Sequence, residues 1–323
     1  MAGPLLRTAL RGSLGQVRHV APVRPARAGA PVARVYAEVE REFGMLAPPV
    51  ALHAPAPAVL AAAWMMLRET LVAAGRADRA QKEAVAAAVS RANACPYCVE
   101  VHTTAIEALG GSVGEGPLKP FPPALAPELV GVAATFHYLN RMVSLFLGDS
   151  PMPPKAPPAA RRAARALLGR LARQSANAAP SPGGSLDLLP AARLPEDLLW
   201  AAGTPSIAGA FARAAAAVDE GGERAVPAPV RELVTAELAA WDGTPPGLSR
   251  AWLEPPLSSL PPEHRAAGRL ALLTAKAAYQ VDDAVVAAAR QTAPSDARLI
   301  ELTAWTSLTA ARRLAAGTVP LSL

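Results

Sequence analysis

Apolar residues along this chain recur at threes and fours, and nowhere does a run of β-branched residues alternate with polar ones. That spacing fits the 3.6-residue turn of an α-helix, not the two-residue repeat of a strand. Val35, Val39 and Phe43 fall at fours, and Trp64, Leu67 and Leu71 form a stripe within residues 57–74. Asp78 and Gln81 stand in capping-box spacing ahead of a helix over 79–92. The spacing predicts further helices over about 95–109, stopped by Gly110 and Gly111, and about 127–147, stopped by Gly148. Aromatics make up only 4% of a chain rich in alanine, which favours closely packed helices. The fold class is all-α.

Composition narrows the partners. The formal charge is +6, but the basic residues are dispersed, only four are lysines, and no aromatic–basic stripe appears. Nucleic acid is therefore not an expected partner. The most apolar stretches, 50–67 and 130–147, are interrupted by Pro55 and Pro57 or by His137, Asn140 and Arg141, so no membrane span is expected. The acid-free, Arg-rich start places Leu6, Leu10, Leu14 and Val17 on one stripe without the continuous apolar run of a secretory signal. It reads as a basic amphipathic helix docked on the body or on a partner subunit. No Gly-rich loop follows a strand, so no nucleotide cofactor is expected.

Four segments emerge. Residues 1–30 form the basic extension and 31–148 the first helical domain. Residues 149–195 are a Pro-rich connector with one basic amphipathic helix near 159–173, and 196–323 form a second helical domain. A shift of 182 lays Tyr97 on Tyr279, Val99 on Val281 and Glu100 on Asp282, so the second half reads as an echo of the first. The same shift puts Ala277, Gln280, Ala284 and Arg265 at the positions of Cys95, Cys98, His102 and Glu83. If the halves are related, only the first carries chemistry.

That chemistry lies in "ANACPYCVEVH", residues 92–102, which holds the chain's two cysteines. A lone CxxC points to a reducing compartment, here the cytoplasm, and to redox or metal use. Pro96 suits the first turn of a helix. Cys95 then lies at the N-terminus, with Cys98 one turn inside and His102 four residues further on the same face. Unpaired N–H groups and the helix dipole favour thiolate there, and an imidazole one turn below is a base in reach. Glu83, on a preceding helix of mostly Ala and Val, is a carboxylate in need of a partner, and His102 is the obvious one. A solvated Glu83 is the bland alternative.

Glu83, Cys95, Cys98 and His102, as E-x11-C-x2-C-x3-H, resemble the AhpD-like alkylhydroperoxidase branch of the carboxymuconolactone decarboxylase superfamily. The stretch "ATFHYLNRMVSLFLG" (134–148) also looks like the helix that follows this motif. The resemblance is clearest over 33–148, and it implies an all-helical AhpD-like bundle, here in tandem with a degenerate copy. It further implies homo-oligomers and reduction of a small hydroperoxide. By position, Cys98 would be the peroxidatic thiol, Cys95 would donate a proton and then resolve the sulfenic acid as a Cys95–Cys98 disulfide, and Glu83 and His102 would relay protons. No cofactor is bound in such proteins. Recycling needs an external dithiol from a reducing partner protein, lipoyl-bearing or thioredoxin-like. AhpD proper has a histidine just before the second cysteine where this chain has Tyr97, a poorer proton shuttle at neutral pH. Superfamily members that decarboxylate lactones lack the CxxC.

Two other readings stand beside this one. A zinc site of Cys95, Cys98, His102 and Glu83 is chemically allowed, although ligands on one helix face converge poorly on a tetrahedral ion. A helical interaction protein with a relic CxxC is the third. His137 is an accessory candidate, with a polar role at a helix interface as its simpler explanation. Trp64, Trp241 and Trp305 read as core anchors, Asp282 and Asp283 as a solvated face, and His19, His53 and His264 have no evident partners.

Overall fold

The computed structural model describes residues 12–112, 121–152 and 155–317, and every regular element among them is helical. In the first half, α1 (Ala30–Glu42), α2 (Pro57–Leu67), α3 (Arg79–Ala92), α4 (Pro96–Ala108) and α5 (Ala126–Phe146) follow one another closely. α6 (Pro158–Ala178) comes next, and then α7 (Pro205–Ala225), α8 (Ala228–Ala239), α9 (Arg265–Lys276), α10 (Asp283–Ala289) and α11 (Asp296–Ala316). No described helix is long and apolar enough to cross a membrane.

Burial follows the sequence pattern. α2 is apolar all round and is buried from Val59 to Leu67, as expected of a helix enclosed by others. Trp64 is fully buried there, and its Nε1–H donates to Glu38 Oε2 of α1 at 3.0 Å. α2 runs on through a π-helical turn, Arg68–Val72, which the spacing over 57–74 did not distinguish from α-helix. The wider turn holds Arg68 between Glu42 (2.6 Å) and Glu69 (2.5 Å) in a buried ion network. α5 is buried along nearly its whole length. It packs on α11, α2 packs on α7, and the apolar core runs unbroken through both halves. Arg141 of α5 reaches across, donating to the Ala275 carbonyl of α9 at 2.9 Å beneath the Trp241 ring.

The expected N-terminal helix lies mostly outside the described residues. Within them, Gly12–Gln16 form a 3-10 turn that seats buried Leu14 in the core. The connector helix is α6, somewhat longer than expected, and it crosses α4. Gly169 allows that crossing: a Cβ there would come within 2.9 Å of the Ala108 methyl.

Candidate active site

The site is built by a tight reversal between α3 and α4. The Asp78 and Gln81 capping box starts α3, with Gln81 N–H on Asp78 at 2.8 Å and Asp78 N–H on Gln81 at 2.9 Å. The helix ends at Asn93, and Ala94 takes φ +50°, a left-handed conformation that costs a residue with a Cβ roughly 1 kcal/mol. Cys95 N–H bonds back to the Ser90 carbonyl at 3.0 Å, and α4 starts at once with Pro96. The reversal lays α4 against α3 and brings Glu83 opposite His102.

His102 Nδ1 lies 2.6 Å from Glu83 Oε2, and both side chains are buried. Glu83 Oε1 accepts from Arg79 Nε at 2.8 Å. Burial pushes the Glu83 carboxyl up, but Arg79 and His102 outweigh it and hold the group at about 2. Glu83 is therefore an anion across the working pH range. Arg79 is in turn steadied by the Ser175 hydroxyl of α6 at 3.3 Å. The His102 ring meets the edge of Phe136 on α5 with centroids 4.4 Å apart. With Nδ1 committed to Glu83, Nε2 is the nitrogen left for proton transfer.

Both cysteines are free, buried thiols. Cys95 is the N-cap of α4. Hydrogen bonding from the Cys98 side chain outweighs burial, and the Cys98 N–H and Ser144 add to it, so the Cys95 thiol is held below its ordinary value. Burial, then the neighbouring Cys95, pushes Cys98 well up. Of the pair, Cys95 is thus the easier thiol to ionise and Cys98 the harder. They also face different surroundings. Cys98 lines an apolar cavity together with Tyr97, His102 and Phe136, whereas Cys95 borders a depression with Arg91, Glu100 and Arg165.

Residues 58–115 of this chain match the carboxymuconolactone decarboxylase family. The matched segment runs from α2 through α4 and contains Glu83, Cys95, Cys98 and His102. An alkyl hydroperoxide reductase of Mycobacterium tuberculosis (strain ATCC 25618 / H37Rv) is 38% identical, over 92% of this chain and 94% of its own length. The chain belongs to the carboxymuconolactone decarboxylase family. No solved structure matches it.

In this family member the four residues singled out by spacing stand on one helix pair, Glu83 beside His102 and Cys98 in the same cavity as His102. Tyr97 shares that cavity, with burial pushing its hydroxyl further from ionisation. His137 is turned elsewhere: its Nδ1 meets the Asn93 amide at 3.1 Å, and Arg141 lies on the same asparagine. Glu83 has both oxygens engaged, and among the described residues no three His, Cys, Asp or Glu side chains are grouped to hold a metal. Asp282 caps α10 through the Val285 N–H, while Asp283 is exposed. His53 bonds the Val50 carbonyl at 3.0 Å and stacks on Tyr138.

Two contributors escaped the sequence. Arg79 lies four residues before Glu83, an i,i+4 ion-pair spacing that was open to notice. The wall that α6 lends the cavity through Ala164, Leu167 and Leu168 was hidden in a stretch whose prolines mark it as a connector.

Proposed function

We propose that this protein reduces organic hydroperoxides through a dithiol–disulfide cycle at Cys95 and Cys98, with Glu83 and His102 as the proton relay. The observation that carries the reading is the shared cavity: Cys98 and His102 line it together, and His102 is fixed from behind by an anionic Glu83. The relative's name, alkyl hydroperoxide reductase, points the same way.

Peroxide in the cavity meets Cys98. Its sulfur attacks the terminal peroxide oxygen, so that an S–O bond forms as the O–O bond breaks. The Cys98 proton passes by way of His102 to the departing alkoxide, giving ROH and a sulfenic acid on Cys98. Cys95, the more acidic thiol of the pair, then gives up its proton by way of His102 and attacks the Cys98 sulfur. The hydroxyl takes that proton and leaves as water, and a Cys95–Cys98 disulfide remains. An external dithiol restores both thiols and is itself oxidised to a disulfide. Cys95 is the better leaving group of the pair, so the dithiol attacks Cys98. Tyr97 supplies bulk to the cavity and takes no proton at neutral pH.

The test is steady-state consumption of cumene hydroperoxide with dihydrolipoamide or with a thioredoxin system as donor. Turnover that is lost in Cys98→Ser and in Cys95→Ser supports the reading. Turnover that survives either change refutes it.

A further inference from the structure

The cavity over Cys98 says more about the peroxide than the cysteines do. It measures about 180 Å³, is partly open, and is lined by α4, α5 and α6 together with the Phe43–Val50 stretch before α2. Phe43, Met45, Leu67, Phe136, Leu139 and Leu168 make an aliphatic and aromatic wall. Among the described residues that line it there is no Lys, Arg, Asp or Glu. Its polar side chains are Cys98, His102, Tyr97 and Gln16.

Gln16 makes the preference for neutral ligands sharper. Its Nε2 donates to the Pro151 carbonyl at 2.9 Å, which orients the amide. Its Oε1 is buried without a partner. The vacant polar atom of the wall is thus an acceptor, which suits an O–H and opposes a carboxylate.

Resting on the peroxidase reading, we infer that the substrate is an uncharged hydroperoxide with a compact hydrocarbon body, about the size of a substituted benzene ring. Size limits the part held over Cys98 to about one ring, because an apolar cavity of about 150 Å³ takes one benzene. Charge sets the second limit. A carboxylate carried into this wall would lose its water and find no cation, a penalty of several kcal/mol unless it is neutralised. Hydrogen peroxide fits but gains nothing from the wall, whereas each buried methylene is worth about 0.8 kcal/mol, or roughly fourfold.

Four hydroperoxides separate these effects in the wild-type protein: hydrogen peroxide, cumene hydroperoxide, and cumene hydroperoxide bearing a para carboxylate or its methyl ester. The expected order in kcat/KM is cumene hydroperoxide about a hundredfold above hydrogen peroxide, and the ester at least tenfold above the carboxylate. Ala164→Phe, which fills the α6 side of the cavity, should cut the ratio of cumene hydroperoxide to hydrogen peroxide at least tenfold. Equal turnover of the carboxylate and its ester, or of hydrogen peroxide and cumene hydroperoxide, overturns the inference and leaves the peroxidase reading intact. Calorimetric titration with 2-phenylpropan-2-ol, the reduced product, reads the cavity without any chemistry. Saturable binding to a protein that reduces no peroxide would keep the cavity assignment and sink the peroxidase. Absence of binding, with the four peroxides turned over alike, would do the reverse.

Discussion

Glu83 stands between His102 and Arg79, with Oε2 on the imidazole Nδ1 at 2.6 Å and Oε1 on the guanidinium Nε at 2.8 Å. The carboxylate fixes which imidazole nitrogen is free, so its charge should matter more than its shape. Glu83→Gln keeps the shape and removes the charge. We expect kcat/KM for an organic hydroperoxide to fall by about a hundredfold, within the range of a lost acid–base element. His102→Gln should fall as far, and the double variant little further, because the two act as one unit. Circular dichroism and thermal melting check that the helices remain.

Arg79 acts on the same carboxylate from the other side. Glu83 ionises at about 2 in the folded protein against an ordinary 4.5, so its contribution is complete above pH 4.5 and is lost as pH falls toward 2. In Arg79→Leu the charge that lowers it most is gone. The acid limb of the peroxidase pH profile should then move upward by on the order of one pH unit, whereas Arg79→Lys should move it less. An unchanged limb in Arg79→Leu would mean that the guanidinium does not tune Glu83.

His53 and His137 predict how the whole fold responds to acid. Burial lowers His53 to about 4 and, with Arg141 adding to it, His137 to about 3, so both are neutral in the folded chain. The unfolded chain binds those protons first. Stability is therefore full above about pH 6.5 and is withdrawn as pH falls below it, His53 alone accounting for on the order of 3 kcal/mol by pH 4. Urea unfolding from pH 7 to pH 4 should show this decline, and His53→Phe should flatten it.

The second half has its own close contact. A Cβ on Gly222 of α7 would sit 2.2 Å from Trp305 Cδ1 of α11, while on Gly221 the nearest atom is Glu301 Cγ at 3.3 Å. Gly222→Ala should cost about 1–3 kcal/mol in urea unfolding, and Gly221→Ala clearly less because the Glu301 side chain can yield. Equal losses would mean that α7 and α11 do not meet as described.

How much of this could be read in advance depended on how local the cause was. The capping box at Asp78, the start of α4 at Pro96 and the shared face of Cys98 and His102 follow from spacing within one helix. The pairing of Glu83 with His102 was legible once the α3–α4 reversal was assumed, since a carboxylate among alanines needs a partner. The π turn at Arg68–Val72 was not legible: its Arg68 sits in a buried ion network that draws Glu42 from another helix. The cavity wall was not legible either. Leu167 and Leu168 line the same cavity as Cys98, some seventy positions away in the chain, where Gly169 lets α6 lie close on α4.

In the proposed cycle Cys98 is the thiol that meets the peroxide and Cys95 the one that resolves it. Reduced Cys95→Ser protein, treated with one equivalent of cumene hydroperoxide and trapped with dimedone, tests it by peptide mass spectrometry. A single dimedone adduct on Cys98 is expected, with no such adduct on Cys95 in the Cys98→Ser protein. An adduct on Cys95 in Cys98→Ser, with Cys98 unmodified in Cys95→Ser, would contradict it.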